Sequence, residues 1–371
     1  MTQEGHEQEA AQSHCAVIQL EGVHEEVIPS LVLALNACGY KPDVYVNKRC
    51  KQQRGDIFKR LKTPLDCTIR YVSITEPQHW KNLARKIKSS GYNFIVLSTY
   101  QHESIAKWTA AIDLPIIGLV HNVELFLRSP SCLSSFQAKQ AQVLLLAPHV
   151  AAFLNQHIGL ELVDRTGVVE SVYWGENATI RSKTQSEEGR RVAIPGGVNF
   201  NVRAFRELVT CLDSYRDFPI RFWFQILGGG PDRESLEKLI LENDLCDFFR
   251  FSKLGTTGRV RYKTYIKDLR KSDIVLPLVP LANIPYREHK ITSAIPTAVG
   301  FGVPLMVDRW TARIYRVPAI ETDETVSAAL KAIVETSNDD LKFYKNEILE
   351  YRKIILRKNA SEMGRLVGQI A

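Results

Sequence analysis

Short apolar runs alternate along the chain with stretches in which apolar residues recur every three or four positions. Runs rich in Val, Ile and Leu mark strands buried on both faces, and the longer spacing marks helices with one face on a core. Cys15 to Leu20 reads as the first strand. After a turn at Glu21 to His24, the segment Glu25 to Cys38 sets Val27, Ile28, Leu31, Ala34 and Leu35 on one helical stripe, closed by Gly39 at a C-cap position. Further strands are predicted at Asp43 to Val46, Thr68 to Val72, Phe94 to Ser98, Ile116 to His121 and Val143 to Ala147, with a helix over Gln78 to Ser90 stopped by Gly91.

The second half repeats this grammar. Strands are predicted at Arg191 to Pro195, Phe222 to Leu227, Phe248 to Phe251, Ile274 to Leu278 and Pro304 to Val307, and helices at Arg203 to Tyr215, Arg233 to Asn243, Tyr262 to Arg270 and Thr292 to Phe301. Strand and helix in alternation give an α/β class with two doubly wound domains. The division expected is a flexible polar leader at 1–13, a first domain at 14–178, a polar linker at 179–190, a second domain at 191–338, and a helical segment at 339–371 able to cross back to the first domain.

Composition narrows the function classes. With 371 residues, 45% hydrophobic and 24% charged, the chain has the balance of an ordinary globular protein long enough for two cores. No apolar window approaches the roughly 20 residues that span a bilayer, and the acidic N-terminal stretch lacks the pattern of a signal peptide, so a cytoplasmic protein is expected. The seven cysteines are scattered without a C-x-x-C pair, which argues against a zinc site or disulfide framework and for mostly buried thiols. The net charge of +7 is spread over Lys48 to Arg60, Arg250 to Lys271 and Lys342 to Lys358, stretches read mainly as solvated faces. No aromatic-basic platform for nucleic acid is visible.

In open α/β sheets ligands lie beyond the carboxyl ends of strands, which directs attention to three segments. Gly228-Gly229-Gly230-Pro231-Asp232 follows one predicted strand, with Asp232 placed to cap the next helix. Gly196-Gly197-Val198-Asn199 leads to Arg203 at a helix start, where the helix dipole does not favour a cation and a bound anion would. Tyr286-Arg287-Glu288-His289-Lys290 precedes Thr292 and Ser293, natural caps for the almost wholly apolar helix Ala294 to Val299. A buried helix start needs partners for its free N–H groups, and a diphosphate beside Lys290 would supply them. Gly197, Arg203, Lys290, Thr292 and Ser293 are therefore the expected diphosphate site.

Residues 192–307 resemble the C-terminal domain of GT-B glycosyltransferases, in particular glycosyltransferase family four, through VAIPGGVNFNVRAFRELV, FWFQILGGGPDRESLEKLI, YKTYIKDLRKSDIVLPLV and HKITSAIPTAVGFGVPLM in that order. HEEVIPSLVLALNACGY and GLVHNVELF resemble parts of the family's first domain. The resemblance implies two Rossmann-like domains facing across a cleft, a nucleotide-diphosphate sugar as donor, a glycan, lipid-linked or protein acceptor, glycan biosynthesis, and neither metal nor cofactor. The lack of an Asp-x-Asp pair agrees with metal independence. The resemblance also implies that His121 faces the donor sugar with Asn122 beside it, and that nucleotide and sugar meet Asn199, Gly229, Gly230 and His289. The basic 47–63 loop is compatible with an acceptor at the inner face of a membrane, and 124–137 is read as a second acceptor loop. One departure stands out: alignment on Gly302-x-Pro304 puts His289 and Thr297 where the family carries two glutamates, with Glu288 one residue from the first as its candidate replacement and, with His121, one of the two expected catalytic residues. Retention of configuration is what the family resemblance favours; inversion would need a base, for which His24 and His121 are the candidates. A non-catalytic partner subunit and a nucleotide-sugar epimerase are the alternatives.

Overall fold

The computed structural model describes residues 14–61, 64–138, 140–174, 189–216 and 221–370. The expected leader at 1–13 and residues 179–188 of the expected linker lie outside them. The first sheet contains β1 (Cys15–Gln19), β2 (Asp43–Asn47), β3 (Thr68–Val72), β4 (Phe94–Leu97), β5 (Ile116–Val120), β6 (Ala141–Leu145) and β7 (Thr166–Val168). All its pairings are parallel, in the order β3-β2-β1-β4-β5-β6-β7. The second half contains β8 (Arg190–Ile194), β9 (Phe222–Ile226), β10 (Phe249–Phe251), β11 (Ile274–Val275), β12 (Met306–Asp308) and β13 (Ile320–Thr322). Four of these pair in the order β10-β9-β8-β11, and a parallel bridge from Val275 to Leu305 leads on to the β12-β13 pair.

In each half the strand order reverses at its first strand, between β1 and β4 and between β8 and β11. Neighbouring strand ends at such a point send their loops to opposite faces, leaving a crevice that a ligand can enter. The central strands β1, β4 and β5 are buried along their whole length, as apolar runs of this kind require.

Most predicted elements are present with shifted ends. β6 begins at Ala141 because the interior takes in Gln142, whose amide donates to Gln369 Oε1 at 2.9 Å. β11 stops at Val275; Pro277 has no N–H to offer a ladder, and Leu278 adopts a left-handed φ of 55°. The two segments read as acceptor loops are largely helical, with helices Lys48–Arg54, Val123–Leu127 and Pro130–Gln137. All seven cysteines are free, but only Cys15, Cys50 and Cys132 are buried. No helix among the described residues is long and apolar enough to cross a membrane.

Helix Asn338–Val367 ties the two halves together. A capping box between Ser337 and Asp340 starts it. Arg352 then donates to Gly300 O at 2.9 Å on the second-sheet side. Further along, Asn359 exchanges two hydrogen bonds with the backbone of Glu170, at 3.0 and 2.9 Å, and Met363 and Leu366 are buried in the cluster around β1 and helix Ile28–Ala37.

Asn359 is only 2% exposed, so removing its amide leaves the backbone N–H and C=O of half-buried Glu170 without these partners. Asn359→Ala is expected to lower unfolding free energy by about 2 kcal/mol, read as a lower urea midpoint at unchanged slope. The Glu170 carboxyl has its own signature: burial pushes its pKa up from 4.5 to about 7, with Lys358 pulling the other way. The unfolded carboxyl loses its proton first, so between those values the folded state holds more protons and stability falls as pH rises. Glu170→Gln removes that contribution, so the variant gains stability relative to the native chain at pH 8 over pH 5. An identical pH dependence in the two proteins would refute this.

Candidate functional site

The two crevices open onto one cleft of about 1380 Å3, its open mouth included. Segments following β1, β4 and β5 bring His24, Glu26, Gln101, His121 and Asn122 to one wall. Segments following β8 and leading into helix Ala294–Phe301 bring Gly196, Gly197, Asn199, Arg203, Lys290, Thr292 and Ser293 to the other.

A backbone bridge closes one side. Asn122 and Lys290 pair as an antiparallel bridge, and Val123 N donates to His289 O at 3.0 Å. His149 Nε2 reaches Lys290 O at 3.3 Å. Gln101 Oε1 accepts from the backbone N–H groups of both His121 and Asn122, each at 2.8 Å, fixing the chain as it leaves β5. Asn122 also caps helix Val123–Leu127, accepting from Glu124 N at 3.1 Å.

The second-half wall is cationic. Arg203 is 6% exposed, donates to Pro277 O, and has no carboxylate at ion-pair distance among the described residues. Burial lowers its pKa to about 10, which still leaves it charged at neutral pH. Its guanidinium occupies the space a Cβ at position 196 would need, and Gly196 has φ +100° besides, so glycine is required there. The Lys290 ammonium sits over the Tyr286 ring, 5.1 Å from its centre.

Helix Ala294–Phe301 is buried throughout, yet the expected hydroxyl caps are not made. Ser293 has helical dihedrals and no side-chain cap bond, and Thr292 Oγ1 is buried without a hydrogen-bond partner among the described residues. Thr292 N donates instead to Tyr315 Oη at 3.1 Å.

The first-half wall is a group of histidines and carboxylates. His24 adopts the left-handed conformation, φ 70°, and its ring stacks on His121 with centres 4.3 Å apart. His24 Nδ1 lies 3.7 Å from Glu26 Oε1. Burial disfavours the imidazolium of His24, but the nearby Glu26 carboxylate, with Glu21 and Glu25, outweighs it and raises the pKa. Burial also works against the Glu26 carboxylate, and His24 with Arg54 overcomes that to hold its pKa low. His121 is the reverse case: burial, then the charge of His24, lowers its pKa, and its Nε2 donates to Ser98 O at 2.7 Å.

The cleft gathers His121, Asn122, Gly197, Asn199, Arg203, Lys290, Thr292 and Ser293, and leaves out four residues predicted to join them. In the short helix Pro285–Glu288, Tyr286 takes the cleft side, so Glu288 two residues on points the other way and is exposed. His289 offers the bridge its carbonyl, while its ring turns to Phe153 and to Glu124, 3.5 Å from Oε2. At Gly229 and Gly230 a Cβ would meet Gly258 O and the backbone of Val198, so these glycines serve close packing of the chain on itself. Asp232 does not cap its helix; its Oδ2 accepts from Phe200 N at 2.7 Å and ties the two glycine turns together.

Glu26, Gln101, Tyr286 and Trp174 were not anticipated. Glu26 reads in sequence as a solvated helical position, and the left-handed His24 that turns the chain is not legible there. The indole N–H of Trp174 is buried in the cleft wall without a partner among the described residues. No group of three or more metal-ligating side chains is found among the described residues.

No family model matches the chain, and no curated protein matches it. Solved structures do. A glycosyltransferase from Rickettsia africae superposes with a TM-score of 0.61 at 12% identity, over 96% of this chain and 99% of that one. WaaG, a glycosyltransferase involved in lipopolysaccharide biosynthesis, gives 0.58 at 12% identity, over 94% and 98%. UDP-N-acetylglucosamine 2-epimerase from Rickettsia bellii gives 0.52 at 13% identity, over 95% and 97%. At these identities the likeness is one of fold, and with the two parallel sheets it establishes the GT-B architecture: two Rossmann-like domains facing across a cleft.

Proposed function

We propose that this chain is a glycosyltransferase that moves a sugar from a nucleotide-diphosphate donor to an acceptor hydroxyl without a metal ion. The observation that carries the reading is the buried, uncompensated guanidinium of Arg203 in the cleft wall. A charge held out of water without a counter-ion is costly, and an anionic ligand relieves that cost. Lys290, the unpartnered Thr292 hydroxyl and the uncapped start of helix Ala294–Phe301 line the same cleft. Together they offer a diphosphate two cations and a helix N-terminus, the combination that stabilises charge developing on a leaving diphosphate. His121, Asn122 and Asn199 are the proposed contacts of the sugar and nucleotide. The acceptor is a glycan, a lipid-linked sugar or a protein.

A second reading, a non-catalytic subunit of the same fold, draws on the replacement of the family's acidic pair by His289, which faces away from the cleft, and Thr297. Calorimetry with uridine and guanosine diphosphate sugars, followed by assay of donor turnover, separates the two. Binding with turnover is expected, whereas binding without turnover for any donor supports the second reading. Arg203→Ala and Lys290→Ala are each expected to weaken binding of the nucleotide by about 10-fold or more, the scale of a lost charge-assisted hydrogen bond. Unchanged affinity in both variants would overturn the assignment of the cleft.

A further inference from the structure

Behind the cleft wall the second domain holds another cavity, about 720 Å3 with its open mouth included, within the usual range for a small-molecule site. It lies beyond the carboxyl ends of β11, β12 and β13 and shares Tyr286 and Thr292 with the cleft. We infer that this cavity binds a small zwitterion, an ammonium and a carboxylate joined by a short apolar stem, at a site separate from the one proposed for the donor.

One end of the cavity gathers carboxylates. Asp308 closes β12 and stands in register with Thr322, the last residue of β13, so Asp323 and Glu324 follow at the same end of the sheet. Glu207 joins them from helix Phe205–Leu212, its Oε1 accepting from Val326 N at 3.3 Å. Asp308 is held in place by capping helix Arg309–Tyr315, accepting from Thr311 N at 2.9 Å and from Thr311 Oγ1 at 2.6 Å. All four carboxylates line the cavity, and none has a cation at ion-pair distance among the described residues. They stand together in a chain whose net charge is +7. A recess edged by one sign of charge, with apolar walls, focuses its field and draws in the opposite charge.

The other end offers donors. Thr292 is 4% exposed, and its hydroxyl has no partner among the described residues. A hydroxyl carries one proton and two lone pairs, so on this shared wall it can serve an occupant on either side. Arg287 lines only the second cavity; its Nε is buried without a partner among the described residues, and no carboxylate there lies at ion-pair distance from it. Tyr315 ties this end together, its Oη donating to Tyr286 O at 3.0 Å and accepting from Thr292 N at 3.1 Å. Buried donors left unpaired are costly, and a ligand carboxylate supplies acceptors for them.

Between the two ends the walls are apolar, formed by Leu276, Leu278, Met306, Val307 and Val326. Thr311 and Tyr315, one at each end, stand one turn apart on their helix with Cβ atoms about 5–6 Å apart, so a stem of about five carbons spans the cavity. A simple amine would leave Arg287 unmet, and a simple carboxylate would face four like charges. A zwitterion answers both ends. Because Tyr286 and Thr292 also line the cleft, such a ligand would touch the wall that the donor site uses.

The test is calorimetry on the full chain with γ-aminobutyrate, ε-aminocaproate and ω-aminocaprylate, and with hexylamine, caproate and hexanol as probes lacking one or both charges. The best of the three amino acids is expected to bind saturably and at least about 10-fold more tightly than any of the other probes, the scale of a lost charge-assisted hydrogen bond. Asp323→Asn combined with Glu324→Gln, both at exposed positions, should weaken it by about 10-fold, and Arg287→Gln by a similar factor. Lys290→Ala, which removes a side chain from the cleft alone, should leave it within about 2-fold, as expected of independent sites. Saturable binding by none of the amino acids, equal affinity for amino acid and hexanol, or a larger loss in Lys290→Ala than in the cavity variants would overturn the inference. None of these readouts uses donor turnover, so their failure leaves the glycosyltransferase reading standing, and failure of every donor to bind leaves this site standing.

Discussion

The backbone bridge between Asn122–Val123 and His289–Lys290 is the constraint on which the cleft depends. Two doubly wound domains each carry a crevice at the point where strand order reverses, but nothing in either sheet requires those crevices to face one another. The bridge does this by sharing main-chain hydrogen bonds between the exit of β5 and the segment that enters helix Ala294–Phe301. Buried backbone groups in such a segment must find partners, so the pairing has little freedom to slip. Helix Asn338–Val367 does the same work on the outside of the molecule, with Arg352 holding Gly300 and Asn359 holding Glu170. A third tie joins Tyr262 Oη to the buried Glu25 carboxylate at 2.8 Å, with the Arg54 guanidinium over the Tyr262 ring at 4.2 Å. The bridge and this tie both leave from segments that supply the first-half wall, so that wall's geometry is coupled to the placement of the whole second domain.

With the domains fixed in this way, charge is divided across the cleft. Cations without carboxylate partners among the described residues stand on one wall, and a histidine-carboxylate group stands on the other. Had Glu26 reached Arg203, each would have neutralised the other and neither would be available to a ligand. The structure instead sets Glu26 beside His24 and gives Arg203 a carbonyl oxygen, Pro277 O, with no carboxylate at ion-pair distance among the described residues. Gly196 is part of this arrangement, since any side chain there would displace the guanidinium.

Much of the fold was legible in the sequence because buried strands and one-faced helices leave periodic traces. The apolar runs of β1, β4, β5, β8 and β9 sit within a residue or so of their predicted positions, and Gly39 ends its helix as its neighbours require. The failures have physical causes. Gln142 is polar yet lies inside β6, where its amide N–H donates to Gln369 on a distant segment, and no local pattern reveals that partner. The helices at Lys48–Arg54 and Val123–Leu127 are too short to show a period, and the polar sequence of the first resembles a loop. In the site, chemistry at strand ends was readable and side-chain direction was not. Arg203 and Lys290 could be named because cations before or within a helix start are anomalous. Glu288 and His289 flank Lys290 in sequence, but the turn of a short helix and the pull of Glu124 send them elsewhere. Gly229 and Gly230 looked like ligand cradles because the demand for glycine is the same whether a phosphate or the chain's own backbone comes close.

His289 and Thr297 stand where the family that the sequence resembles carries two glutamates, and this difference bears on what kind of recognition the cleft can offer. At the second position Thr297 lies in the wall, with its hydroxyl engaged by Tyr265, and the buried Trp174 indole lines the same cleft. Carboxylates at these places would accept hydrogen bonds from sugar hydroxyls and would also oppose the diphosphate. Thr297 and His289 bring no such opposition, and the wall presents donors: the Arg203 guanidinium, the Lys290 ammonium and, without partners among the described residues, the Trp174 indole N–H and the Thr292 hydroxyl. A ligand that satisfies such a wall must present acceptors along its length. On the proposed reading, hydroxyl donors of the sugar must then find their acceptors on the first-half wall, at Asn122, Gln101, Glu26 and the histidines. Choice between sugars differing by one hydroxyl would reside there, since a site built to pair a hydroxyl rejects the analogue that lacks it far more strongly than an apolar pocket can. Donor binding and sugar discrimination would thus fall on different domains, joined through the backbone bridge that sets the distance between them.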